Sequence, residues 1–61
     1  MLREKNELIA QQAFGQLILD YESEEYGVTC RVLIDGWYDG KIYAKDREEA
    51  IAAFRAGKWE R

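Results

Sequence analysis

Cys30 is the only thiol in the chain, and there is no histidine. Thiol catalysis needs a thiolate with a base or cation beside it. Cys30 instead alternates with Val28 and Val32, which predicts a small core residue on a strand. The carboxylates Asp20, Glu22, Glu24 and Glu25 are the next groups that could do chemistry. General acid–base work needs a carboxyl whose affinity for protons is tuned by burial or by a charged neighbour. A polar loop leaves Glu24 and Glu25 solvated. Asp35 and Asp39 are spaced like ligands of a calcium loop, but Trp37 stands where the middle ligand belongs. Both belong to Asp-Gly pairs and read as turn residues. One cysteine without histidine cannot build a zinc site of the usual kind. No glycine-rich phosphate loop is present. No residue is therefore assigned a catalytic, cofactor or metal role, and the chain reads as non-enzymatic.

Two surfaces suit recognition better than reaction. One is acidic: Asp20, Glu22, Glu24 and Glu25 lie within six residues with no counter-charge, and Tyr26 follows them. Such a surface can dock a basic protein. The other combines Arg31, Tyr38, Lys41, Tyr43 and Lys45, expected together on the outer face of a sheet. Basic residues interleaved with aromatics can stack on bases and contact phosphates. Tyrosine and arginine also dominate protein–protein contacts. Trp37 and Trp59 are expected in the core and at its rim; exposure of either would make it the leading anchor candidate.

These residues need elements to hold them. Leu2 to Ala13 reads as a helix, with Leu2, Ile9 and Ala13 on one stripe and Gly15 as its stop. Gln16 to Glu22 reads as a strand and Ser23 to Gly27 as a hairpin loop. Val28 to Asp35 is the clearest strand, with period-two alternation and many β-branched residues. A bulge at Asp35-Gly36 and a two-residue turn at Asp39-Gly40 are then expected, followed by a third strand from Lys41 to Lys45. Asp46 is placed as the cap of a final helix, with Glu49 completing a capping box, Ala50, Ile51, Ala53 and Phe54 as the buried stripe, and Gly57 closing it. The expected fold is α+β, in the order αβββα: an N-terminal helix, a three-stranded antiparallel meander, and a C-terminal helix packed on one face.

The 61 residues suffice for a single small domain. Chains this short bury too little surface to be robust, which favours tight packing, a partner or a second copy. A homodimer is compatible with that need. With 48% hydrophobic residues the chain is not a disordered tail. The net charge is −3 and argues mildly against general nucleic-acid binding. The run Leu17-Ile18-Leu19 is far too short for a signal sequence or a membrane span, and one free cysteine fits a reducing compartment. A cytoplasmic protein without membrane contact is expected.

The stretch from Val28 to Trp59 resembles the three-strand-plus-helix module that begins many tyrosine recombinases and binds arm-type DNA sites. The likeness lies in the hairpin, in Tyr43-Ala44-Lys45 ending a strand, and in Asp46-Arg47-Glu48-Glu49-Ala50 opening a helix. It implies DNA binding by a basic, aromatic sheet face, here Arg31, Lys41 and Lys45. That family is usually basic, and this chain is acidic. Its small acidic sheet-plus-helix make-up is also similar to phage-encoded inhibitors of host defence, including anti-CRISPR proteins, which implies a protein partner. A protein-binding module, of the inhibitor or accessory-subunit kind, is the favoured expectation. A nucleic-acid-binding domain is the alternative.

Overall fold

A computed structural model describes residues 3–61. It contains four strands and one helix: β1 (Arg3–Gln12), β2 (Gly15–Ser23), β3 (Gly27–Ile34), β4 (Trp37–Ala44) and α1 (Arg47–Arg55). The strands form a single antiparallel sheet in the order β1-β2-β3-β4. The fold is thus ββββα, and the expected αβββα order is wrong at its start.

The segment expected as an N-terminal helix is an edge strand, paired with β2 from Arg3↔Glu22 to Gln12↔Gly15. Leu2, where that helix was expected to begin, lies outside the described residues. The error has a physical cause. The β1–β2 pairing slips between Glu4 and Glu7 and again between Leu8 and Ala10. Each slip breaks the alternation by which a strand is recognised. The segment is also built of Glu, Lys, Leu, Ala and Gln, all good helix formers. Pairing with β2 overrides that local preference.

The β3–β4 hairpin also differs from expectation, with turn and bulge exchanged. Asp35 and Gly36 have φ of 53° and 83° and form the two-residue turn between Ile34 and Trp37. Two left-handed residues are what a type I′ hairpin requires. The bulge falls at Asp39, between the pairs Leu33↔Tyr38 and Val32↔Gly40. The strand expected from Lys41 therefore starts at Trp37. Gly40 serves close packing instead of a turn: a Cβ there would lie 2.1 Å from Glu60 O and 2.7 Å from Trp59 Cδ1.

α1 starts and ends as its residues dictate. Asp46 Oδ1 accepts from Glu49 N at 2.9 Å, while Glu49 Oε1 accepts from Lys45 N at 3.3 Å. The box thus reaches one residue further back than a regular capping box. At the other end Gly57 N donates to Phe54 O and Lys58 N to Ala53 O, a Schellman closure around a left-handed glycine. Ala50 and Phe54 sit one turn apart and are buried against Leu17, Leu19, Val28, Cys30, Val32 and Ile42. This is the core, and it lies on one face of the sheet. Arg47 clasps the helix start to the sheet: it bonds both oxygens of Glu22 on β2, at 2.8 and 3.0 Å, and Glu7 on β1 at 2.9 Å. After the helix the chain turns back along β4, where Lys41 and Glu60 exchange two backbone hydrogen bonds. No helix among the described residues is long and apolar enough to cross a membrane.

Candidate functional site

α1 covers one side of the sheet, and the opposite side is open. The register places three rows of side chains there. Leu8, Ile18, Arg31 and Lys41 form the middle row. Gln11, Gln16, Leu33 and Tyr38 form the row nearer the Asp35–Gly36 turn. Glu4, Tyr21, Thr29 and Tyr43 form the row nearer the β2–β3 loop. Tyr43 is 65%, Tyr38 57% and Leu8 49% exposed. These are large apolar groups in solvent on rigid strands.

Arg31 is fixed at the centre of this face. Its Nε donates to Asp20 Oδ1 at 2.7 Å and its Nη2 to Asn6 Oδ1 at 2.8 Å. Both acceptors sit at irregularities. Asp20 lies at the β2 register slip between Leu19 and Tyr21, and Asn6 lies at the first β1 slip with φ of 51°. Asparagine tolerates that left-handed conformation better than most residues. The bulges thus re-aim two acceptors onto one guanidinium. Lys41, next to Arg31 in the row, makes no ion pair among the described residues.

Of the residues expected on the basic, aromatic surface, Arg31, Tyr38, Lys41 and Tyr43 share this face. Lys45 stands beyond the end of β4, at a cleft it borders with Arg3, Lys5 and Glu22. The expected acidic surface is divided. Asp20 is spent on Arg31. Glu22 is held by Arg47, whose hydrogen bonds keep its carboxyl below the ordinary range. Glu24, Glu25 and Tyr26 form the exposed β2–β3 tip, turned by Ser23 Oγ, which accepts from Glu25 N and Tyr26 N at 3.2 Å. Tyr26 is 83% exposed.

Sequence reasoning missed Leu8, Ile18, Tyr21 and Leu33 as members of the open face. Ile18 and Leu33 were legible from alternation with their buried neighbours; Leu8 was hidden by the helical reading of β1. Trp37 is not in the core: it is 78% exposed at the start of β4. Trp59 does lie at the core's rim, in a three-ring cluster with Phe14 and Phe54. The groups weighed for catalysis have structural places. Cys30 is fully buried, and burial, reinforced by the Asp20 carboxylate, pushes its thiol up to about 11. Asp39 accepts from Trp59 Nε1 at 2.7 Å and from Arg61 Nε at 3.2 Å, which keeps its carboxyl below the ordinary range.

No protein-family model matches the chain, and no curated protein or solved structure does either.

Proposed function

We propose that this chain is a non-enzymatic protein-binding module of the inhibitor or accessory-subunit type, and that its partner docks on the open sheet face. The observation that carries this is the set Leu8, Tyr38 and Tyr43, exposed around a guanidinium already locked by Asp20 and Asn6. Side chains fixed before binding lose little entropy on association. Three rows across four strands span roughly 20 by 20 Å, about 400 Å². That is about half of one side of a standard interface of ~800 Å². The tip at Glu24, Glu25 and Tyr26, at the same end as Tyr43, supplies further contact area and the acidic component. With Arg31 neutralised, Lys41 is the one unpaired cation of the face among the described residues, which favours a protein over a polyanion.

The test is capture on the immobilised chain from nuclease-treated lysate, run in parallel with the double variant Tyr38→Ala/Tyr43→Ala. A stoichiometric protein retained by the parent and lost from the variant, with equal thermal stability of the two, supports the face. Equal capture by both removes it. Binding seen only when nuclease is omitted turns the assignment to nucleic acid. A two-chain mass in sedimentation that the double variant reduces to one would make the partner a second copy.

A further inference from the structure

A second site lies on the other side of the sheet, where α1 ends. A cleft of about 380 Å³ opens between the β1–β2 turn, the end of β3, the Asp39 bulge and the helix C-terminus. Phe14, Ile34 and Trp59 supply its apolar walls. Phe14 and Trp59 stack with centroids 6.0 Å apart, and Phe14 remains 40% exposed. The volume sits at the lower end of the range for small-ligand sites.

The charges around the cleft are Asp39, Arg55 and Arg61. Asp39 is engaged, since its Oδ2 accepts from both Trp59 and Arg61. The helix-end carbonyls of Ala53 and Phe54 are taken by the Schellman bonds. Arg55 is exposed and makes no ion pair or side-chain hydrogen bond among the described residues. Arg55 is therefore the one charged side chain of the lining without a partner among the described residues. A shallow apolar cleft whose lining includes an unpaired arginine is complementary to an apolar group bearing a carboxylate.

We infer that this cleft binds the C-terminal apolar residue of a partner polypeptide, its side chain between Phe14, Ile34 and Trp59 and its free carboxylate on Arg55. The inference is independent of the open-face assignment, because it uses the opposite side of the sheet and none of the same residues.

The probes are N-acetylphenylalanine and its uncharged amide, titrated into the ¹⁵N-labelled full chain and followed by amide and indole NMR shifts. The acid should give saturable shifts at the Trp59 indole N–H and the Arg55 and Gly57 amides, with millimolar affinity as befits so small a ligand. The amide should bind about two- to fivefold more weakly, the worth of one exposed ion pair. Arg55→Gln, at an exposed position, should keep the fold and abolish the difference between the two probes. Three results would overturn the inference: no saturable shift at these residues, equal affinity for acid and amide, or shifts centred on Tyr38 and Tyr43.

Discussion

The substitution Gly40→Ala bears most directly on how the C-terminal segment is seated. The new Cβ would stand 2.1 Å from Glu60 O and 2.7 Å from the Trp59 ring. A backbone oxygen at that distance must move, so the strap from Trp59 to Arg61 lifts off β4. Two backbone hydrogen bonds hold this strap to Lys41, at 2.8 and 3.1 Å. Each contributes about 0.5–1.5 kcal/mol. The Trp59 ring contacts with Phe14 and Phe54 add about 0.5–1.5 kcal/mol each. Half-burying the indole adds roughly 1 kcal/mol more. The Trp59 Nε1 hydrogen bond to the Asp39 carboxylate adds about 1.5–3 kcal/mol; against these stands the backbone entropy of three ordered residues, about 3–6 kcal/mol. The strap is seated by a margin of a few kcal/mol, and a methyl group forced against the Glu60 carbonyl oxygen removes the two Lys41 hydrogen bonds that contribute to it. In a Trp37→Phe background Trp59 is the only indole, and Gly40→Ala should shift its emission to longer wavelength. The core should persist, with the melting temperature lowered by roughly 4–8 °C for a cost near 1 kcal/mol. Unchanged emission together with an unchanged melting temperature would refute the seating of Glu60 on Gly40.

Other expectations test separate parts of the structure. Gly36 has φ of 83° and open space where a Cβ would go, so Gly36→Ala should cost about 1 kcal/mol in urea unfolding through backbone conformation alone, and leave Trp59 emission unchanged. Cys30 holds its proton to about 11 in the folded chain, against 9.0 as its ordinary value. The folded state therefore binds more protons between those limits, its stability should fall as pH rises from 9 to 11, and Cys30→Ala should make that slope shallower. Glu22 has the opposite sign: Arg47 holds its carboxyl below the ordinary 4.5, so its contribution is present above pH 4.5 and lost as pH falls further. Arg47→Met should make the fall in urea midpoint between pH 5 and pH 3 shallower; an identical acid profile would show that the clasp does not stabilise the fold.

The elements that were legible in the sequence are those whose local signals agree with their packing. β3 alternates without a break from Val28 to Val32, and each of Val28, Cys30 and Val32 is buried. α1 carries its own cap and stop, and both are used. β1 was not legible because two bulges disturb its alternation and its residues favour helix. The β3–β4 turn was ambiguous because Asp35-Gly36 and Asp39-Gly40 carry the same signal. What separates them is remote: the second glycine is required by Glu60, twenty residues further on. Arg31, Lys41 and Tyr43 could be grouped from parity alone; Tyr38, of the opposite parity, joins them only through the bulge at Asp39. Their apolar neighbours Leu8 and Tyr21 could not, since their places depend on the bulges. Asp20 and Glu22 look alike in sequence, yet a bulge directs one to Arg31 and leaves the other for Arg47.

Both candidate sites arise from the same mismatch between the length of α1 and that of the strands. A helix of nine residues is about 13 Å long. Strands of eight to ten residues run roughly 26–33 Å. One such helix can cover only part of one face, whatever its direction. The rest of that face must be closed by side chains, and Phe14 and Trp59 do this from a turn and from the strap. They leave a cleft because two rings cannot fill the space that another helical turn would occupy. The opposite face has no cover at all among the described residues. Its exposed Leu8, Tyr38 and Tyr43 would be placed better for stability by polar residues, as on an ordinary solvated sheet. Leu8, Tyr38 and Tyr43 stand beside an arginine held by acceptors at two bulges, and folding alone does not require them there; this is the ground of the proposed docking face.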